Sequence, residues 1–214
     1  GRFDADKEVY HVQGGKKLRL SRPQQLMAAE REIIEEAYAG DIIGVFDPGI
    51  FSIGDTLCAP GKKFRFDPIP TFAPEHFKRV RSLDTMKRKQ FLKGMEQIAQ
   101  EGAIQIFKTP YTGMEEVIVG VVGTLQFDVL EYRLKNEYNV ELYMEGLPYE
   151  YLRWIETDDG EPVKEEDLIL GTDVKLVEDY KGNQLLLFGS QWAIGWTEER
   201  NKNLTFHEFG GTKF

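Results

Sequence analysis

One cysteine, Cys58, stands in a chain of 214 residues. A single thiol excludes an internal disulfide framework and suits a reducing compartment. Histidine is as scarce: His11, His76 and His207 are scattered, with no carboxylate or cysteine at ligand spacing, so no zinc-type metal motif is present. Cys58 is followed by Ala-Pro-Gly and has no His/Asn context, which removes the usual sign of a catalytic thiol. Long apolar runs are absent too. The longest, Val117 to Phe127, is broken by glycines and falls far short of the roughly twenty residues of a membrane span. Neither a signal peptide, a G-x-x-x-x-G-K-[ST] phosphate loop nor an N-K-x-D guanine-reading motif occurs. Without the phosphate loop there are no backbone amides arranged to cradle a nucleotide's phosphates. The expectation is a soluble cytoplasmic protein, without membrane contact, holding no catalytic, cofactor or metal residues of its own.

What the chain does contain is an ordinary globular composition, 41% hydrophobic and 29% charged, which supplies a real core. Net charge is −9. It is uneven: residues 151–214 carry 13 acidic and 7 basic groups, while residues 1–150 are close to balanced. Against the acidic background stand compact basic clusters: Lys16, Lys17, Arg19 and Arg22; Lys62, Lys63 and Arg65; and the stretch from Lys78 to Lys93, with seven cations and one acid. Phosphates respond to nearby charge more than to net charge, so such patches suit nucleic acid even on an acidic protein. The bland alternative for each cluster is a solvated face.

Residues 1–70 read as β. Val9–Val12, Lys17–Leu20, Asp41–Val45 and Phe64–Phe66 are short strand-like runs between glycine- and proline-containing turns, the pattern of a small β-barrel. Residues 24–36 hold a helix-like patch with a competing strand reading. Pro68, Pro70 and Pro74 suggest a stiff linker. Residues 71–214 then read as α+β. Phe77–Arg81 is a strand; Asp84 caps a helix that runs to about Glu101 and stops at Gly102; Ala103–Phe107 and Val117–Val122 are strands; Thr124 caps a second helix ended by Asn139; Val140–Met144 is a strand. The order βαββαβ, over about 76–146, is that of the ferredoxin-like fold. In the acidic extension, 151–214, the expectation is strands near Leu152–Ile155, Leu185–Phe188 and Thr205–His207. A helix capped by Ser190 lies between the last two, and the ten acids of Glu156–Asp179 sit on exposed loop and short helix. Trp154, Trp192 and Trp196 are expected in the core rather than as a base-stacking platform.

Two Gly-Asp pairs, Gly40-Asp41-Ile42-Ile43-Gly44 and Gly54-Asp55-Thr56-Leu57, resemble the closing segment of the second domain of translational GTPases. Gly123-Thr-Leu-Gln-Phe-Asp128 and Tyr138-Asn-Val-Glu141 resemble the third domain of elongation factor G and its relatives. More particular are Pro70-Thr-Phe-Ala-Pro-Glu-His-Phe77, Lys89-Gln90-x-Leu92-Lys93-Gly94, Glu101-Gly-Ala-x-Gln-x-Phe107, Arg153-Trp-Ile-Glu156 and Thr205-Phe-His207. These resemble the release-factor-three family, the class II peptide chain release factors, GTPases of translation termination. The resemblance implies a domain-two-like barrel over 1–70 lacking its first strand, and a C-terminal α/β domain over 71–214. It implies that GTP or GDP with magnesium belongs to a GTPase domain not present here, so that this chain is inactive alone though the parent protein hydrolyses GTP. The implied partners are the ribosome, through small-subunit RNA and protein, the class I release factor that the family drives off after termination, and the chain's own GTPase domain. A stand-alone enzyme or small-ligand binder using the βαββαβ sheet is the alternative.

For ribosome or RNA contact the candidates are Lys16, Lys17, Arg19, Arg22, Lys62, Lys63, Lys87, Lys89 and Lys93. The best of them open the 85–101 helix. The dipole of a helix disfavours cations in its first turn by roughly 0.3–1 kcal/mol each, so a chain that places them there has a reason outside the helix. On a helical wheel Lys89 and Lys93 lie away from the apolar face.

Overall fold

The computed structural model describes residues 1–208 except 6, 21–22, 28–29, 47–48, 63, 68, 70–71, 111–115 and 159. It divides into two units, Gly1–Ile69 and Pro70–Phe214. In the first, β1 (Arg2–Asp4), β2 (Val9–His11), β3 (Lys16–Leu18), β4 (Gln24–Met27), β5 (Glu30–Ile33), β6 (Glu36–Tyr38) and β7 (Leu57–Cys58) form short antiparallel ladders. β1 pairs β6, β4 pairs β5, and β2 lies between β3 and β7. This is a small barrel-like β domain, with Val9, His11, Leu20, Ala37 and Thr56 buried.

The two Gly-Asp pairs share one geometry. Gly40 and Gly54 have φ of 103° and 92°, which favours glycine because it has no Cβ. Each occupies the third position of a four-residue turn closed by the following aspartate. The Asp41 N–H donates to the Tyr38 carbonyl and the Asp55 N–H to that of Ser52, both at 3.0 Å. In return each carboxylate accepts the N–H three residues back, from Tyr38 at 2.7 Å and from Ser52 at 2.8 Å. Two backbone reversals are thus locked by the same dipeptide.

Several expectations for this unit are corrected. At 24–36 the strand reading holds over the helix-like one: β4 pairs β5 with register Gln24↔Ile33, and the chain runs on to β6. Asp41–Val45 makes one isolated bridge, Gly44 with Gln24, and Ile42 is left 88% exposed. Phe64 and Phe66 join no ladder; exposed, they meet edge to face at 4.7 Å, while the Phe66 N–H donates to Thr56 Oγ1 at 3.1 Å. Of the three linker prolines, Pro68 and Pro70 lie outside the described residues. Pro74 is buried in the second unit, where a Cβ on Gly120 would come within 2.6 Å of its ring.

The second unit carries β8 (His76–Ser82), a 3-10 turn (Thr85–Lys87), α1 (Arg88–Gln100), β9 (Gln105–Lys108), β10 (Glu116–Val121), α2 (Leu125–Tyr138) and β11 (Leu142–Gly146). The extension adds β12 (Tyr151–Thr157), a 3-10 turn (Glu165–Asp167), β13 (Val174–Asp179), β14 (Gln184–Phe188), α3 (Gln191–Arg200) and β15 (Leu204–His207). One antiparallel sheet runs β11-β8-β10-β9-β13-β14-β12-β15. Its first four strands have the order of the split βαβ unit. Strand alternation assigns the faces. Val117 and Val119 point to the core beneath α1 and α2, with Phe91, Met95, Ile98, Phe127, Leu130 and Leu134. Ile118 between them points the other way, joining Phe77 and Phe107 in a cluster completed by Leu152, Trp154, Val177, Leu185 and Leu187 of the extension. A third core lies under α3.

Helix ends follow local chemistry. Asp84 Oδ1 accepts the Met86 N–H at 2.9 Å, so the aspartate caps the 3-10 turn and α1 begins four residues after it. Gly102, φ 75°, ends the helix, and Asn139 ends α2 at φ 54°. Thr124 does not cap through its hydroxyl; Gln126 Oε1 instead accepts from the N–H groups of Val122 and Gly123, both at 3.0 Å. Within the acidic stretch, Val174–Asp179 is a strand and not a loop, because Val174, Leu176 and Val177 are buried between two cores. Trp154 is core as expected. Trp192 is not: it is 72% exposed, and Trp196 is half-buried.

Candidate nucleic-acid interface

The basic stretch 78–93 splits by strand and helix periodicity into groups with different tasks. Lys78, on the helix side of β8, places its ammonium 4.4 Å from the centre of the Phe127 ring. On the opposite side of that strand Arg79 faces Glu145 at 3.5 Å and Arg81 stacks on Tyr143 at 4.5 Å. Lys87 is half-buried, and its ammonium donates to the Asn139 carbonyl at 2.6 Å. That carbonyl stands at the negative end of α2, where a cation is favoured. The dipole argument therefore reverses for Lys87: its backbone opens α1, but its charge serves the end of α2. Arg88 opens α1, and beyond it stand Lys89 and Lys93. Both are exposed on α1, on the side away from Phe91, Gly94, Met95 and Ile98, and no acid stands in the helix's first turn. They are one helical turn apart on one face, a spacing suited to successive contacts along a phosphate backbone.

In the first unit Lys16 and Lys17 are exposed on β3 and Arg19 is exposed just after it. Lys62 is exposed in the turn after β7, on the far side of β2 from β3, so these cations sit at opposite edges of one small sheet. Arg22 and Lys63 lie outside the described residues. The Lys62 carbonyl accepts from the Cys58 thiol at 3.1 Å, which gives Cys58 a structural partner.

Two histidines have carboxylate partners that sequence spacing did not show. His11 Nε2 lies 2.7 Å from Asp55 Oδ2, 44 residues away, and the ring packs edge-on to Phe51 at 5.3 Å. His207 faces Glu156 across 3.4 Å, on the paired strands β15 and β12. Only the fold joins these pairs. Among the described residues no group of three or more His, Cys, Asp or Glu is placed to hold a metal ion, and no helix is long and apolar enough to cross a membrane. A cleft of about 280 Å³ opens beside β12 and β14, between Glu156, Val163, Asn183 and Gln184. Gln184 closes one wall by exchanging two 2.7 Å hydrogen bonds with the Val163 backbone.

One ion cluster is structural. Arg133 on α2 donates to Glu137 through Nε and Nη2, at 2.8 and 2.9 Å, and to Glu101 at the end of α1. Hydrogen bonding to both acids raises the Arg133 pKa, and the same bond lowers that of Glu137. Beside it, the Tyr138 hydroxyl donates to Gln97 at 2.7 Å, and burial raises its pKa. These contacts tie α1 to α2 and so fix the face on which Lys89 and Lys93 stand.

Against known proteins, the profile described as "Class II release factor RF3, C-terminal domain" matches residues 66–198, and "Elongation factor G domain 2" matches residues 1–60. Proteins called "Peptide chain release factor 3" are similar over nearly the whole chain. That of Symbiobacterium thermophilum is 50% identical over 96% of this chain, that of Gloeobacter violaceus 44% over 97%, and that of Listeria monocytogenes 42% over 95%. The chain spans 38–39% of the length of these relatives. With a barrel-like first unit and a βαββαβ second unit matching the two profiles in order, the chain belongs to the class II release factor family, over its second and C-terminal domains.

Proposed function

We propose that this chain is the ribosome-binding part of a GTP-dependent release factor, one that promotes dissociation of class I release factors from the ribosome after translation termination. The observation that carries the reading is the class II release factor match over 66–198, in which the exposed pair Lys89 and Lys93 falls. In this reading GTP or GDP with magnesium binds in the part of the relatives that this chain does not span. The chain works in the cytoplasm beside its own GTPase domain, and contacts small-subunit RNA and protein. Lys89 and Lys93 meet phosphates, with Lys16, Lys17, Arg19 and Lys62 as further candidates in the first unit. The alternative, a small-ligand site on the open face of the βαββαβ sheet, has lost its surface: Phe77, Phe107 and Ile118 there are under the extension.

The test replaces both Lys89 and Lys93 by Glu in the full-length factor and measures ribosome affinity at several salt concentrations. Each phosphate contact releases counterions, so losing two should lower the slope of log affinity against log salt by about one to two units. Thermal stability should stay within about 0.5 kcal/mol, because both side chains are exposed. Unchanged affinity and slope with an unchanged melt would reduce the pair to a solvated face.

A further inference from the structure

Helix α3 makes two choices that its own packing does not explain. Trp192 is 72% exposed, although burying an indole is among the larger gains available to a side chain. Three residues on, Gly195 sits exposed in the helix interior, where glycine is less favourable than alanine. A Cβ added there would meet nothing within 4 Å, so no neighbour in the fold requires its smallness. The two positions are one turn apart on the side away from buried Ala193, Ile194 and Thr197. Together they make a notch: bare backbone at Gly195 beside the indole of Trp192.

The far wall of the notch is pre-built. Trp196 lies 6.3 Å from Trp192 at 38° between ring planes, and Arg200 stacks on Trp196 at 4.0 Å. Arg200 also donates to the Trp196 carbonyl at 3.3 Å and faces Glu199 at 4.0 Å, so its charge is held against the helix. Glu199, 76% exposed, lies two turns from Trp192 on the same side, with Glu198 beside it. The charged side chains of α3 are these two acids and Arg200. The edge of the notch is therefore acidic and its floor aromatic, which repels phosphate and attracts a cation over the indole face.

We infer that this face of α3 docks a basic polypeptide segment, its backbone crossing Gly195 and a Lys or Arg side chain lying on Trp192 within reach of Glu199. The surface is separate in sequence from the basic start of α1, and its test does not depend on ribosome association. The probe is a fluorescein-labelled nonapeptide of three Arg-Ala-Leu repeats, titrated with this chain. Its Glu-Ala-Leu counterpart and a twelve-nucleotide oligouridine serve as controls. Trp192→Ala and Gly195→Leu should each weaken the basic peptide at least tenfold. The melting temperature should hold for the first and hold or rise for the second, since leucine favours the helix and has open space. Equal affinity in either variant, or no binding by the parent chain, would overturn the inference. So would oligouridine binding lost in Trp192→Ala, which makes the occupant a nucleic acid, or self-association in sedimentation lost in that variant, which makes it a second copy.

Discussion

Gly94 lies in the interior of α1 and is buried, so Gly94→Ala sets two effects of known size against each other. Helix propensity favours alanine by about 0.8–1.0 kcal/mol. Space opposes it: the added Cβ would lie 2.4 Å from Leu134 Cδ2 and 2.9 Å from two ring carbons of Tyr138. Leu134 is fully buried, and the Tyr138 ring is held by its hydroxyl on Gln97, so neither can step aside freely. Overpacking of this kind costs typically about 1–3 kcal/mol. The net expectation is a loss of up to about 2 kcal/mol, a fall of up to about 8 °C in the melting temperature of a unit of this size. Tryptophan emission is the assay, because Trp154, Trp192 and Trp196 all lie in the second unit. Gly195→Ala, with no neighbour to meet, is the matched control and should rise by about 2–4 °C. In a Leu134→Ala background, where Cδ2 is gone, Gly94→Ala should cost less than in the parent chain, with the two Tyr138 contacts remaining. A rise with Gly94→Ala in the parent chain, equal to that of Gly195→Ala, would refute the close-packing argument.

Asp55→Ala removes the acceptor of the Ser52 N–H and the partner of buried His11, and should destabilise the first unit by about 1–3 kcal/mol, with Asp55→Asn recovering part of it; far-ultraviolet circular dichroism in urea reads this, as the first unit has no tryptophan. For Glu137 the folded pKa lies below the ordinary 4.5, so its contribution is present above the unfolded value and is lost as pH falls through the folded one. Glu137→Gln should therefore lower stability near neutral pH, with the difference from the parent closing in acid; a difference that persists or widens below pH 4.5 would mean that the Arg133 bond is not its source.

Elements with local signals were legible in the sequence. The βαββαβ order followed from helix and strand periods; Gly102, Asn139 and Ser190 act at the ends they were assigned, and Asp84 caps the 3-10 turn that leads into α1, because a cap or stop is decided within a few residues. What was missed depends on distant partners. β13 hides among acids, since a strand buried between two cores shows no simple alternation. The β4–β5 pairing decided between two readings that the local pattern left open, and the His11–Asp55 pair joins residues 44 apart. Of the candidate interface, the exposure of Lys89 and Lys93 could be read from the wheel, whereas the attachment of Lys87 to Asn139 needed the α2 end brought to the α1 start. The tryptophans show the limit of composition: burying such residues is the usual case, and Trp192 departs from it.

The seam between β9 and β13 joins the two halves of the second unit by a register of only two residue pairs, Glu178↔Lys108 and Asp179↔Phe107. What spans it is the cluster in which Phe77, Phe107 and Ile118 meet Leu152, Trp154, Val177, Leu185 and Leu187. A core drawn from both sides of a short ladder belongs to neither half, so opening either one exposes it. The ferredoxin-like part and the extension should accordingly behave as one cooperative block in native-state hydrogen exchange, with the slowest amides of β10 and of β14 reporting the same opening free energy. A pull applied at α3 would then be felt at α1 without a yielding joint between them.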